Sequence, residues 1–145
     1  MFSLENFTLE VKTTAATDIL DLTAAVAAKV EHTGVAEGLL TLFISGSTAA
    51  LSTIEFETGV VNDLRAAIDR LFPSEISYEH DRRWGDGNGY AHVRAAFLKP
   101  SLSIPLMGGR LLLGTWQQIV VLDFDNRPRL RRIQGQVIGT RPTNG

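Results

Sequence analysis

Residues 101–138 read SLSIPLMGGRLLLGTWQQIVVLDFDNRPRLRRIQGQVI. Within them Ser101–Leu106, Arg110–Gly114, Gln117–Phe124 and Leu130–Ile138 are short β-prone runs, broken at Met107–Gly109 and Asn126–Pro128. Such runs between glycine and proline breaks predict strands joined by tight turns. A fifth run, His92–Leu98, precedes them across the break at Pro100. Upstream the period changes. Ile19, Leu22, Val26 and Val30 recur at three-to-four spacing in Ala-rich sequence that stops at Gly34. This predicts a helix with Thr14 or Thr17 as N-cap and Asp18 in its first turn. Val60, Leu64, Ala67 or Ile68, and Leu71 mark a second amphipathic helix closed by Pro73. Leu39–Ile44, bounded by Gly38 and Gly46, predicts a buried strand. Residues 3–12 alternate as a strand with one irregular step at Asn6–Phe7, and residues 46–57 become β-prone near Ile54–Phe56. Helices early and strands late point to an α+β fold, in one domain over residues 1–145.

The 145 residues are 44% hydrophobic and carry a net charge of −2, which excludes a disordered chain. No apolar run has the length of a membrane helix, and no basic-then-apolar leader opens the sequence. The expectation is a cytoplasmic protein that does not engage a membrane. The absence of cysteine removes disulfides, thiolate metal sites and cysteine nucleophiles together. Charge is uneven: the last twenty residues hold five arginines and no acid, while residues 1–125 hold 9 basic residues against 16 acids. A basic tail suits nucleic acid or another anion, but an Arg-studded strand face explains it as well.

Functional side chains are densest in 78–92 (YEHDRRWGDGNGYAH), of which residues 78–90 are predicted to form a loop by their turn chemistry. His80, Asp86 and His92 suit a divalent-metal site or an acid–base pair. Their spacing matches no standard zinc motif, and D-G-N-G is equally ordinary hairpin punctuation. Gly46-Ser47-Thr48-Ala49-Ala50 offers hydroxyls and free backbone N–H groups to an anion such as phosphate, without the lysine of a P-loop. A tight strand connection accounts for it equally. Trp116 suits a core or subunit contact better than a ligand platform. His32 suits the C-terminal end of the first helix.

These stretches together resemble the YjbQ-like family, whose members are often labelled secondary thiamine-phosphate synthases. The resemblance rests on F-I-S-G-S-T-A-A-L at 43–51, Glu55, Asp63, Y-E-H at 78–80 and D-G-N-G-Y-A-H at 86–92. P-S-L-S-I-P at 100–105, G-R-L-L-L-G-T-W-Q at 109–117 and D-F-D-N-R-P-R-L-R-R at 123–132 complete it. It implies a mixed β-sandwich flanked by two main helices, assembled as a homotrimer. It also implies a pocket near the subunit boundary that uses His80, Asp86, Asn88, His92 and Gln117. The family pattern carries a histidine in an H-T-x-A motif where this chain has Gly46. A metal site (Zn, Fe or Mn) would therefore consist of His80, His92 and a carboxylate, Asp86 or Glu55.

The expected function is an enzyme of thiamine-phosphate synthase-like type acting on a phosphorylated small molecule. His80, Asp86 and His92 would be catalytic. Ser47, Thr48, Asn88, Arg110, Trp116 and Gln117 would bind substrate. The rival from another class is a non-catalytic trimeric module that binds a phosphorylated metabolite. Within the family pattern Arg127, Arg129 and Arg131 are expected along one strand face, paired with the acid-rich body across a subunit boundary. That ranks nucleic acid last among the partners.

Overall fold

The computed structural model of the chain describes residues 1–143, so the last two residues of the expected 1–145 domain lie outside it. Two antiparallel sheets form its centre. The larger has the order β1 (Ser3–Lys12), β8 (Leu130–Thr140), β3 (Glu37–Ile44), β5 (Ser101–Met107) and β6 (Arg110–Leu111). The smaller has the order β2 (Asp18–Asp21), β7 (Gln118–Asp123) and β4 (Ala49–Ile54). The α+β sandwich expected from the sequence is present, with every strand pair antiparallel.

Burial explains the two kinds of strand. β8 alternates strictly, with Ile133 and Val137 inward and Arg132, Gln134, Gln136 and Ile138 outward. A sheet covered on one face requires that alternation. β7 is buried throughout its Ile-Val-Val-Leu run because its sheet is covered on both faces. Ile119 and Val121 meet Leu40, Leu42, Ile133 and Val137 of the larger sheet. Val120 and Leu122 meet Val61 and Ile68 of α2 (Thr58–Leu71) and Ala91 and Ala95 of α4 (Gly89–Leu98).

Among the described residues, nothing covers the outer face of the larger sheet along one row. Leu4 pairs with Ile138, Ile138 with Leu39, and Leu39 with Pro105, a line of apolar residues across four strands. Leu4 is 59% exposed and Ile138 49%. This accounts for the irregular step expected at Asn6–Phe7. β1 pairs without a bulge from Ser3 to Lys12, and Leu4 simply faces outward while Phe7, Leu9 and Val11 face in.

Three elements differ from the sequence reading. The first helix begins at Thr23 and runs to Thr33 as α1, with Leu22 at its N-cap position, so neither Thr14 nor Thr17 caps it. Residues 18–21 instead add β2 to β7, and Asp18 accepts hydrogen bonds from the Thr14 backbone and hydroxyl. Sheet pairing outweighs the helical spacing of Ile19 and Leu22, because Ile19 is buried either way. The expected 78–90 loop contains α3 (Glu79–Trp84), with Glu79 and Asp81 in its first turn and Arg82 and Arg83 in its last. Those charges complement the helix dipole, and Gly85, at φ +73°, ends the helix in the left-handed conformation. The expected strand at 92–98 is part of α4. Ala91, Arg94 and Ala95 are buried and Leu98 half-buried, the i, i+3, i+4, i+7 pattern of a helix face.

Candidate functional site

The functional end of the molecule lies where β7 runs into the turn before β8. Asp123 and Asp125 leave β7 fully buried. Arg131, inward-facing on β8, grips Asp123 in a two-pronged pair: Nε donates to Oδ2 at 2.7 Å and Nη2 to Oδ1 at 2.8 Å. Such paired charge-assisted bonds are the strong form of the interaction. Thr13 Oγ1 donates to Asp123 Oδ2 at 2.6 Å, and Arg131 Nη2 also reaches Thr48 Oγ1 at 2.7 Å. Arg129 Nε donates to Asp125 Oδ2 at 2.8 Å, and Thr48 Oγ1 lies 3.2 Å from the same oxygen. Two carboxylates are thus matched by two guanidiniums. Burial pushes the Asp125 carboxyl up, but hydrogen bonds from Asn88 and Arg129 outweigh it and hold the carboxyl below its ordinary value.

Asn88 stands at the N-cap position of α4 without capping it by its side chain. Its Nδ2 donates to Asp125 Oδ1 at 3.2 Å, and its Oδ1 is buried without a hydrogen-bond partner. The carboxylate only accepts, which fixes the orientation of the amide. Asp81 Oδ1 accepts from the Gly89 N–H at 2.8 Å and lies 3.4 Å from His80 Nδ1. That contact ties α3 to the start of α4 and brings the His80 and His92 rings to 4.5 Å between centroids, tilted by 41°. His92 then lines a cleft of about 330 Å³ with Gly46, Ser47, Ala49 and Pro100.

The structure therefore gathers His80, His92, Asn88, Ser47 and Thr48 at one end, on α3, α4 and the segment joining β3 to β4. It does not bring the other expected residues to this cleft within one chain. Asp86 is exposed, and its carbonyl oxygen accepts from Asn126 Nδ2 at 2.9 Å. Trp116 is 72% exposed and shares a separate hollow with Glu55 and Phe56. Gln117 bonds Thr53 Oγ1 at 3.1 Å beside a cleft lined by Ser101 and Ser103. Arg110 borders a third cleft against α1, with Ala27 and Glu31.

Among the described residues, no three His, Asp or Glu side chains converge as a metal-ligand set. The two imidazoles gain no third ligand from Asp86 or Glu55, so one chain does not fit the expected divalent-metal site.

Sequence reasoning missed the Asp123–Arg131 cluster as part of the site. D-F-D followed by R-L-R supplied the signal: acids two apart in a buried run need partners, and Arg131 falls on an inward position of β8. The expected single face for Arg127, Arg129 and Arg131 does not form. Arg127 lies in the exposed turn, Arg129 precedes β8, and only Arg131 is in the strand. Arg129 and Arg131 pair with Asp125 and Asp123 inside the chain, while Arg132 meets Glu10 and Arg141 meets Glu5.

Residues 7–140 match the family model described as UPF0047 protein YjbQ-like. A UPF0047 protein of Archaeoglobus fulgidus is 38% identical over 125 residues, covering 86% of this chain and 94% of that one. The UPF0047 protein YugU of Bacillus subtilis is 32% identical over 133 residues, covering 91% and 98%. A crystal structure of a YbjQ-like protein of unknown function from Sulfolobus solfataricus superposes with a TM-score of 0.86 at 28% identity, covering 95% of this chain and 100% of that one. A hypothetical protein from Aeropyrum pernix superposes with a TM-score of 0.87 at 31% identity, covering 94% and 99%. The family model covers residues 7–140 and the relatives are matched over most of both chains, so this chain belongs to the YjbQ-like UPF0047 family.

Proposed function

We propose that the protein is an enzyme of thiamine-phosphate synthase-like type, acting on a phosphorylated small molecule in the Gly46–Ser47–His92 cleft. The observation that carries this reading is the His80–His92 pair, with rings 4.5 Å apart and one ring lining the cleft. Imidazole titrates near neutral pH, so adjacent rings suit proton transfer to and from a bound substrate. Ser47 offers a hydroxyl to the phosphate, and Thr48 connects that wall to the buried Asp125 and Arg131. His92→Ala is expected to lower thiamine-phosphate formation by about 10²-fold or more, the usual contribution of a general acid or base. His92 is only half-buried, so the melting temperature should change little. Unchanged turnover in both His92→Ala and His80→Ala would refute the proposal. Phosphate binding without turnover in the unaltered protein would favour the non-catalytic module.

The proposal includes a homotrimer. The uncovered apolar row Leu4–Ile138–Leu39–Pro105 supports a contact between copies on the outer face of the larger sheet. Sedimentation equilibrium should give three times the 15.8 kDa chain mass, and Ile138→Lys, in the middle of that row, should shift it toward one. A monomer in the unaltered protein would exclude this assembly. No helix among the described residues is long and apolar enough to cross a membrane.

A further inference from the structure

Arg131 donates three side-chain hydrogen bonds, yet one of its nitrogens is spare. A guanidinium carries five N–H donors in a rigid fork. The Nε and Nη2 atoms are engaged by Asp123 and by Thr48 Oγ1, as described above. Nη1 donates to no described residue, although the side chain is only 9% exposed. Asn88 Oδ1 is the fully buried side-chain polar atom without a partner among the described residues, so Nη1 keeps solvent contact, and an anion bound there gains a charge-assisted hydrogen bond in place of water.

The position of Nη1 shows from which side an acceptor can reach it. A Cβ built on Gly46 would lie 3.0 Å from Arg131 Nη1, with no other atom within 4 Å. Gly46 has φ +106°, a conformation that favours glycine, and it lines the His92 cleft beside Ser47. The missing side chain at position 46 is therefore the opening between the cleft and the guanidinium. Asp123 and Asp125 fix the fork from behind, so its free edge is presented without reorganisation.

We infer that Arg131 Nη1, reached over Gly46, is the oxyanion-binding point of the cleft and takes a phosphoryl group, with Gly46 as the residue that admits it. This rests on the phosphorylated-ligand reading above and deepens it. It replaces Arg110, expected from the sequence to bind substrate, with an arginine 21 positions later that stands behind Gly46, a lining residue of the cleft. A phosphoryl oxygen on Nη1 has Ser47 and His92 as neighbours, one supplying a hydroxyl and the other an imidazole. Any side chain at position 46 would stand in the path, so the residue there sets whether the anion touches the guanidinium.

Titration of the intact protein with inorganic phosphate, followed by NMR of the arginine side-chain nitrogens, tests this without a mutation. The Arg131 Nη signals should shift saturably. Gly46→Ala keeps the Arg131–Asp123 pair but puts a methyl against Nη1, and should weaken phosphate binding about tenfold or more, the loss expected for one charge-assisted hydrogen bond. The strain of Ala at this φ is tracked by a parallel thermal melt, and the unaltered protein decides the matter if the variant does not fold. Phosphate binding detected by calorimetry with silent Arg131 signals would overturn this inference and leave the proposed function standing. No phosphate binding in the unaltered protein would overturn both.

Discussion

Asp123→Ala is expected to destabilise the protein by about 3–5 kcal/mol, the cost of removing one partner from a buried ion pair. The substitution deletes the two acceptors of the Arg131 fork and leaves a nine-tenths-buried guanidinium with Thr48 Oγ1 as its hydrogen-bonding partner. Asp125 Oδ2 stands 3.9 Å away, already engaged by Arg129 and Thr48. Thr13 Oγ1 loses its 2.6 Å acceptor at the same time. In a domain of this size the loss lowers the melting temperature by on the order of 10 °C. Urea unfolding should show a lower midpoint at unchanged slope. Asp123→Ala with Arg131→Met should recover much of the deficit, because no uncompensated charge remains. A single variant within about 1 kcal/mol of the unaltered protein would show that the cluster does not hold the two sheets together. The same melts run at falling pH report on Asp125. Its carboxyl is held below the ordinary value, so the stability it contributes is fully present above about pH 4. That contribution is lost as the pH drops through the lowered value.

The second large effect is expected at Gly139→Ala. Gly38 and Gly139 face each other directly in the β3–β8 ladder. A Cβ on Gly139 would sit 2.1 Å from the Glu37 carbonyl oxygen and 2.7 Å from Val35 Cγ1. A Cβ on Gly38 would sit 2.1 Å from the Ile138 carbonyl oxygen. The nearest obstacle in each case is a backbone carbonyl oxygen, and β8 is hydrogen-bonded on both sides, to β1 and β3, so neither strand can swing away. The cost is expected at about 3 kcal/mol or more, at the upper end of overpacking. Gly108→Ala makes the contrast. That position has φ +57° with open space around it, so only backbone strain opposes the methyl, about 1 kcal/mol. Thermal melts of the two variants should differ clearly. Equal melts would mean that the strands part easily at Gly38–Gly139.

The strands at 101–107, 118–123 and 130–140 were legible because hydrophobic period and turn residues agreed there. The second helix was legible for the same reason, and Glu57 confirms its start by accepting from Gly59 N and Val60 N. The segment 78–98 was not. Asp86-Gly87-Asn88-Gly89 satisfies turn chemistry, yet the chain around it is helical on both sides. Arg94 hid the buried face of α4, since a cation at an inward position reads as a surface residue. It is 1% exposed because Asp69 and the Phe72 carbonyl take its donors and the Tyr90 ring lies 4.8 Å from it. Ile19 and Leu22 fit a helix face as well as they fit β2 and its end. A strand to pair with, β7, lies about a hundred residues away in the sequence and left no local trace.

What residue order settled for this protein is its α+β class, most strand positions, the second helix and the family motifs. All of these depend on periodicities and residue types within about ten positions, which a linear reading contains. What folding alone settled is which motif residues meet. His80 and His92 meet because Asp81 ties α3 to the start of α4. Asp86, Trp116, Gln117 and Arg110 stay apart from them within one chain, although the motifs put all six on the same list of candidates. Arg131 becomes a site residue because β8 crosses beside β3 in a register that turns its side chain inward, opposite a glycine 85 positions earlier. Such meetings are set by strand order and register. Those in turn depend on packing between segments far apart in the chain, and no local pattern encodes them.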